Sequence, residues 1–287
     1  MASNDVQTGK VSFDDIYDQP DPRAFFRTLS GFDYQIPDHG SEVFAFLART
    51  LRDRRDRDAF SVLDLCCSYG INAALLNHEV SLADLFARYT SAEVESLTSD
   101  ELIAADRAFY AERRHDPLPV IGLDAAPNAI DFAVATGLLT AGSSENLEDH
   151  DPSEELKNHL GDVGLITVTG GIGYITEVTF DRVLGAATAE APPWIAAFTL
   201  RWVDMEPIRS MLARHGYRLE VLRGRTFQQR RFADDSERDH ALAHLRRLGI
   251  DPDGVETDGY HHAELYLARP QAEADAVPVG ELLSPIL

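Results

Sequence analysis

Two aspartates, Asp64 and Asp124, stand at or near the ends of short apolar runs, where their carboxylates could meet a ligand. The runs cover residues 61–67 and 119–124. Short apolar runs bounded by turn-forming residues are typical of buried parallel strands. Ligands of open parallel sheets bind beyond the carboxyl ends of the strands, where an acid can accept two hydrogen bonds from a ribose diol. Asp124 is therefore a candidate to bind a ribose.

The turn after the first run carries small side chains at alternate positions, namely Cys66, Ser68 and Gly70. A first strand–helix turn must let its backbone approach a ligand closely, and small residues permit this approach. A helix is predicted to follow over residues 71–78. This strand, turn and helix form the strongest local signal for a binding site in the sequence.

Two other groups of residues resemble reactive sites, but the sequence favours plainer interpretations. Cys66 and Cys67 are adjacent, and we interpret them as small buried residues in place of glycine rather than as nucleophiles. The glycines of residues 170–173 lack the Lys-Ser/Thr of a phosphate-binding loop, so we interpret them as room for a ligand beside a strand. The chain has no C-x-x-C pair, and we expect no metal site.

Apolar runs and helical repeats alternate along most of the chain. This alternation predicts an α/β fold with a doubly wound, mostly parallel sheet. A long segment joins the last two runs, which indicates an antiparallel strand at that edge. The predicted strands are 61–67, 119–124, 164–169, 194–201, 217–222 and 261–268.

Helices are expected to cover and interrupt this sheet domain of residues 61–270. Residues 1–60 are predicted to form an N-terminal helical cover, in which Pro37 breaks the chain and a helix occupies residues 41–54. Apolar residues at helical spacing predict two amphipathic helices in an insert at 80–117.

Three finer expectations concern the segments between these elements. Ser99 is expected to cap the second insert helix, and Tyr174 to begin the helix after the strand at 164–169. Residues 142–160 are expected to be loop-like. The C-terminal tail, residues 271–287, is expected to be extended.

The features around Asp64 and Asp124 resemble those of class I S-adenosylmethionine-dependent methyltransferases of the small-molecule type. The first motif of that family, Asp/Glu-x-Gly-x-Gly-x-Gly, is similar in frame to residues 64–70, except that Cys66 and Ser68 replace the first two glycines. Its second segment, apolar residues followed by Asp, two small residues and a Pro-started helix, resembles residues 120–128. The resemblance covers roughly residues 60–268 and implies a seven-stranded Rossmann-like sheet.

The resemblance implies a role for each residue of the turn. The segment from Cys66 through Ser68 to Gly70 would lie under the amino-acid part of S-adenosyl-L-methionine. Asp64 would order this turn or meet the ammonium group of the cofactor through water. Asp124 would hold the ribose hydroxyls.

Four further residues match the cofactor-binding positions of the family. Ala125 would pack beside the adenine. Asn146 and Leu147 would stand near the adenine amine, and Thr169 would end the fourth strand beside the transferred group. The Cβ atoms at the two substituted glycine positions narrow the turn and are expected to shift the methionine part of the cofactor.

The function implied is in-line transfer of a methyl group to a small-molecule acceptor. A second hypothesis keeps the cofactor but attacks its aminocarboxypropyl carbon, which releases methylthioadenosine. A third is a non-catalytic binding protein of the same fold. His39 and Tyr174 are the candidates for a general base, which is needed only if the acceptor is a hydroxyl or a protonated amine. Tyr17, Tyr34 and Arg201 are candidates to contact the substrate.

The charge of the chain limits its partners. Its 26 Lys and Arg residues stand against 48 Asp and Glu residues, for a net charge of −22. Such an acidic surface repels phosphate backbones, so we expect no nucleic-acid partner. No apolar run reaches the ~18–20 residues that cross a bilayer, and no secretory signal is evident. We therefore expect a cytoplasmic protein without membrane contact, and the apolar insert helices allow a homodimer.

Overall fold

One mixed sheet organises the computed structural model, which describes residues 14–55, 60–187 and 192–287. The strand order is β3-β2-β1-β4-β5-β8-β6, and β7 pairs with β8 as well. The strands are β1 Ser61–Leu65, β2 Val120–Leu123, β3 Ala141–Ser143, β4 Val163–Thr169, β5 Trp194–Leu200, β6 Tyr217–Val221, β7 Phe227–Arg231 and β8 Tyr260–Pro270.

The strands β1 to β5 are parallel to one another, and β8 runs antiparallel to β5. Residues 217–221 of β6 pair with residues 266–270 of β8, while β7 pairs with residues 260–263. The short strands β6 and β7 therefore lie end to end along β8, and eight strands occupy seven positions. This arrangement confirms the predicted mostly parallel α/β sheet with an antiparallel strand near its edge.

Helices cover both faces of the sheet. The described helices are α1 Asp14–Tyr17, α2 Arg23–Ser30, α3 Ile36–Arg55, α4 Ile71–Asn77, α5 Leu82–Tyr89, α6 Ala92–Glu95, α7 Ser99–Ala111, α8 Pro127–Ala135, α9 Glu154–Leu160, α10 Glu177–Ala186, α11 Glu206–Arg214, α12 Asp235–Arg247, α13 Gln271–Ala276 and α14 Val279–Leu282. None of them is both long and apolar enough to cross a bilayer.

Alternation along the strands divides the buried residues into two cores. Val62 of β1 packs in the core that holds α3, α4 and α8, whereas Leu63 and Leu65 pack in the core that holds α9, α10 and α11. Successive side chains of a strand point to opposite faces. Asp64 therefore faces the same side as Val62, toward α4.

The N-terminal helices pack against the insert of residues 80–117. The ring of Phe26 in α2 stacks on Tyr89 of α5, with centroids 4.6 Å apart. Arg23 donates hydrogen bonds to the carbonyl oxygens of Val94 and Leu97, at 3.0 and 2.8 Å. Helices that are distant in sequence thus share one hydrophobic core beside the first turn of the sheet.

Several local expectations were wrong in detail. Thr98, not Ser99, caps α7, because its side chain and that of Glu101 form a reciprocal capping box. The Ser99 hydroxyl instead donates to Asp21, at 2.7 Å. Pro37 stands in the first turn of α3, where proline is tolerated because it removes no intrahelical hydrogen bond.

The segments expected to lack regular structure contain short elements. Residues 142–160 include the end of β3 and the helix α9. The tail forms α13 and α14 rather than an extended chain, because the backbone N–H of Val279 donates to the Glu220 side chain at 2.8 Å and so anchors it. Residues 1–13, the beginning of the predicted N-terminal cover, lie outside the described residues.

Candidate functional site

The turn from β1 to α4 holds three alternate residues in the left-handed region of backbone conformation. The φ angles are 56° at Cys66, 49° at Ser68 and 77° at Gly70. Residues other than glycine rarely adopt such angles, and each costs about 1 kcal/mol or more. The backbone thus keeps the shape of a glycine-rich turn although only one of its three positions is a glycine.

The side chain of Asp124 braces this turn from the neighbouring strand. Its Oδ2 accepts a hydrogen bond from the backbone N–H of Ser68 at 2.8 Å, and its Oδ1 accepts one from Ala126 at 3.0 Å. Burial raises the pKa of Asp124, against these two hydrogen bonds, which lower it. Each carboxylate oxygen retains a second lone pair, so the group can still bind a ligand hydroxyl.

Asp64 lies at the centre of a buried polar network. Its Oδ1 accepts hydrogen bonds from Asn72 and Thr167, each at 2.8 Å, and Asn72 also donates to Thr169 at 3.1 Å. Among the described residues, Oδ2 of Asp64 has no hydrogen-bond partner. The pKa of Asp64 is raised to about 7, because burial and the nearby charge of Asp124 together outweigh the two hydrogen bonds, which lower it.

The N-terminal segment is fastened over the turn by two contacts. The Tyr69 hydroxyl accepts a hydrogen bond from the backbone N–H of Gln19 at 2.8 Å and donates to main-chain carbonyl groups of the same segment. Asp18 accepts a hydrogen bond from the backbone N–H of Asn128 at 2.9 Å, in the first turn of α8. The chain therefore covers the carboxyl ends of β1 and β2.

Tyr17 and Tyr34 join this cover through Phe25. The Phe25 ring lies 5.4 Å from Tyr17 and 6.1 Å from both Tyr34 and Tyr69, measured between centroids. Burial raises the pKa of Tyr34, and repulsion from an ionised Tyr17 and from the Asp64 carboxylate raises it further, whereas Arg230 lowers it. The structure thus brings both predicted substrate contacts to the motif turn, where Tyr34 stays a neutral phenol.

The loop after β3 borders the site on the side of Asp124. The backbone N–H of Asp124 donates to the carbonyl of Ser143, at 3.2 Å. Ala125 is exposed beside it and Asn146 is half-buried, whereas Leu147 is buried in the core. The Asn146 amide donates to Asp149 at 2.5 Å.

Comparison with known proteins gives remote matches among solved structures. The plantazolicin methyltransferase BamL, solved with a triazolic desmethylPZN analog and SAH, is 14% identical to this chain. The match covers 79% of this chain and 83% of that one, with a TM-score of 0.43. No protein-family model matches the sequence, and neither does any curated protein.

Two further similar structures carry the same enzyme class in their names. Precorrin-6y C5,15-methyltransferase from Geobacter metallireducens is 13% identical, with coverage of 77% and 85% and a TM-score of 0.39. Magnesium protoporphyrin IX methyltransferase from Synechocystis, solved with bound SAM, is 11% identical, with coverage of 80% and 80% and a TM-score of 0.37. These scores lie below 0.5, so the functional assignment of this chain rests on its own site geometry.

The two candidates for a general base differ in their surroundings. The His39 ring packs against Phe227, with centroids 5.5 Å apart, and burial lowers its pKa, as do Arg225 and His262. His39 is therefore neutral at pH 7 and able to accept a proton. Tyr174 is 49% exposed and belongs to the turn after β4, because α10 begins only at Glu177, after the capping residue Thr176.

Arg201 takes part in an ion pair away from the motif turn. Its guanidinium donates to Glu256 at 2.6 Å and to the main-chain carbonyl of Asp251 at 3.1 Å. Glu256 is fully buried, and burial raises its pKa to about 7 even though Arg201 lowers it. Arg201 thus pairs with a buried acid, and its contact with a substrate stays a prediction.

Besides Thr167, which donates to Asp64, two buried polar residues of the site were missed by the sequence analysis. Asn72 joins Asp64 to Thr169, and its signal was a lone polar residue among the apolar residues of α4. Gln229 directs its side chain at Gly170, directly after β4. No signal marked Gln229, because β7 itself was not predicted.

Proposed function

We propose that this protein transfers a methyl group from S-adenosyl-L-methionine to a small-molecule acceptor. The observation that carries the proposal is the pair of acids, Asp64 and Asp124, at the ends of β1 and β2. The turn after β1 has left-handed backbone conformations, and Asp124 accepts a hydrogen bond from its backbone. Open parallel sheets bind their ligands in this place, and an acid after the second strand suits a ribose. The sequence resemblance supports the same cofactor.

The residues of the site fit a positively charged cofactor. Asp64 is buried with one oxygen unpartnered, and Ser68 Oγ is likewise buried without a partner among the described residues. Both acids have raised pKa values, because their hydrogen bonds only partly compensate for the burial of a negative charge. A ligand that carries an ammonium and a sulfonium group would supply that compensation.

Each side chain has a task in this proposal. Asp64 would face the ammonium group, and Asp124 would accept hydrogen bonds from the ribose hydroxyls while it holds the turn. Tyr34 and Tyr17 would close the site against water. Asn72 would keep Asp64 in register with the end of β4, where the acceptor must approach.

When bound, S-adenosylmethionine would supply a methyl group that its sulfonium makes electrophilic. The protein then contributes mainly proximity and orientation, which can be worth ~7–11 kcal/mol. His39, neutral at pH 7, is the base we propose if the acceptor must lose a proton.

The direct test is calorimetric titration with S-adenosylhomocysteine, followed by incubation with methyl-labelled S-adenosylmethionine and candidate acceptors. We expect saturable binding, a loss of affinity of at least tenfold in Asp124→Ala, and label in an acceptor. Asp131→Ala, an exposed residue of α8, is the matched control and should bind normally. Absence of binding by the wild-type protein would count against the proposal.

The products distinguish the two other hypotheses. Release of methylthioadenosine in place of S-adenosylhomocysteine would indicate attack at the aminocarboxypropyl carbon. Binding without turnover over a broad set of acceptors would indicate a non-catalytic protein. The product is therefore to be identified by mass spectrometry as well as counted.

A further inference from the structure

Gln229 occupies a β-bulge at the edge of the sheet. On β8, His262 pairs with Gln228 and His261 pairs with Arg230, so Gln229 is the extra residue of β7 and has no opposite partner. A bulge turns a side chain out of the regular alternation of its strand, and bulges are frequent beside active sites. The orientation of Gln229 is therefore set by the bulge rather than by the pleat.

The bulge directs this side chain to the end of β4. Nε2 of Gln229 lies only 2.9 Å from the position that a Cβ atom on Gly170 would occupy. Gly170 has a φ of 76°, in the left-handed region. Glycine is therefore favoured at this position both by the backbone conformation and by the close approach of the Gln229 side chain. The amide is thus fitted against the residue that follows Thr169.

The amide of Gln229 is buried without full hydrogen bonding. The residue is 5% exposed, and within the described part of the chain its Oε1 has no hydrogen-bond partner. The main-chain carbonyl of Gln229, in contrast, accepts a hydrogen bond from Gln35 at 2.8 Å. A buried amide oxygen without a partner is destabilising, and such groups call for an explanation.

The surroundings of the amide belong to the site already described. Gly170 follows Thr169, which Asn72 links to Asp64, and Gln35 follows Tyr34 of the cover. Gln229 therefore stands between the end of β4 and the segment that closes the site. This is the side on which an acceptor must approach if the proposed function is correct.

We propose that Gln229 binds the acceptor, with its side-chain carbonyl accepting a hydrogen bond from an O–H or N–H group of that molecule. The inference rests on the proposed function and adds a substrate class to it, namely hydroxyl compounds, amines or N–H heterocycles. Carboxylates are disfavoured, because they offer only acceptors to a carbonyl oxygen and because Asp64 and Asp124 make the site acidic.

A first test measures whether the amide is structural. Gln229→Met keeps the length of the side chain and removes its polar atoms, and Gln228→Met is the matched control on the same strand. We expect the melting temperature of Gln229→Met to stay level or rise by a few degrees. Gln228→Met loses the hydrogen bond to Asp258, at 3.0 Å, and should not rise. A fall in Gln229→Met larger than in Gln228→Met would show a structural amide and overturn the proposal.

A second test measures binding of small probes to the protein saturated with S-adenosylhomocysteine. Phenol, aniline, imidazole and butylamine are titrated by ligand-observed NMR, with benzoate as the acceptor-only comparison. We expect at least one of the four donors to bind the wild-type protein and to bind Gln229→Met at least tenfold more weakly, with Gln228→Met unchanged. Binding of none of them, equal binding to both proteins, or binding of benzoate alone would overturn the proposal.

Cofactor affinity, measured in parallel, separates this inference from the proposed function. We expect S-adenosylhomocysteine to bind Gln229→Met within about twofold of the wild-type affinity. A tenfold loss would place Gln229 at the cofactor and overturn the acceptor assignment alone. Failure of the wild-type protein to bind S-adenosylhomocysteine would instead overturn the proposed function.

Discussion

At Asp64, burial opposes ionisation more strongly than two hydrogen bonds favour it. The pKa of about 7 means that the folded protein keeps a proton there which the unfolded chain loses near pH 4. Between these values the folded state binds more protons than the unfolded state, so the free energy of unfolding falls as pH rises. Above pH 7 both states are ionised and this contribution is constant.

Replacing Asp64 with Asn should remove this dependence. The variant keeps an oxygen that can accept from Asn72 and Thr167, while the buried charge is lost. We expect the variant to gain free energy of unfolding at pH 8, by about 4 kcal/mol as an upper bound, and to gain little at pH 4. Urea unfolding at the two pH values measures the effect, and an equal change at both would contradict the shifted pKa.

The affinity for the cofactor should also depend on the ionisation of Asp64, but it should rise with pH, whereas the free energy of unfolding falls. A cationic ligand favours the ionised form of Asp64, so its binding below pH 7 must displace a proton. We expect the dissociation constant of S-adenosylmethionine to fall by up to tenfold from pH 6 to pH 7 and then to level off. Calorimetry in buffers of different ionisation enthalpy counts the released proton, and Asp64→Asn should show none from this site.

Two substitutions of Ser68 distinguish the effect of backbone strain from the effect of the hydroxyl group. Ser68→Gly removes both the unfavourable left-handed side chain and the buried Oγ, whereas Ser68→Ala removes only Oγ. We expect Ser68→Gly to exceed Ser68→Ala in free energy of unfolding by about 0.5–1 kcal/mol. Thermal unfolding compares the two variants. Similar losses of S-adenosylhomocysteine affinity in both would show that the hydroxyl contacts the cofactor.

At the scale of elements, the insert is held together by a buried ion pair. Asp106 of α7 is fully buried and accepts hydrogen bonds from Arg88 of α5 at 2.7 Å and from the Tyr89 hydroxyl at 2.8 Å. Burial raises the pKa of Asp106 although Arg88 lowers it. The pair joins the two insert helices that the periodicity of the sequence predicted, and Tyr89 continues the contact to α2.

Asp106→Asn should therefore destabilise the protein strongly. Removal of one partner leaves Arg88 as an uncompensated and mostly buried charge, which costs about 3 kcal/mol or more. Urea unfolding gives the loss directly. Asp131→Asn, on the exposed face of α8, is the matched control and should change the free energy of unfolding by less than about 0.5 kcal/mol. Equal effects in the two variants would show that the ion pair contributes nothing.

Element prediction succeeded where the periodicity was long and failed where elements were short. The insert helices and the buried strands β1, β2, β4 and β5 have clear apolar patterns. In contrast, β3 has three residues, with glycine in the middle, and β7 reads FQQRR, so neither presents an apolar run. Pairing with a neighbouring strand, which is a long-range contact, creates both of them.

At the scale of the whole molecule, the N-terminal chain closes the site that the sheet creates. Asp18 and Tyr69 connect segments 50 or more residues apart. The protein has a net charge of −22, and its candidate site is itself acidic because Asp64 and Asp124 line it. The electric field around the site is therefore negative. Long-range attraction of a cationic cofactor follows from this field, and its association rate should decrease as salt rises.

Weakening the closure should accelerate ligand exchange. Asp18→Ala removes the hydrogen bond to the backbone of Asn128 and leaves the motif turn intact. We expect the dissociation rate of S-adenosylhomocysteine to rise about three- to tenfold, as the loss of one hydrogen bond of about 1 kcal/mol implies. Stopped-flow displacement measures the rate. An unchanged rate, with Asp131→Ala as the control, would show that this contact does not limit release.

The sequence by itself determined the local features of this protein. It placed the acids of the first two strands, the small-residue turn and the order of the main elements, because these depend on apolar periodicity and on residues close in the chain. The tertiary structure decided which distant side chains meet. Asn72 and Thr167 reach Asp64, Arg201 pairs with Glu256, and the bulge directs Gln229 at Gly170. These contacts depend on strand order and register, which no local pattern encodes.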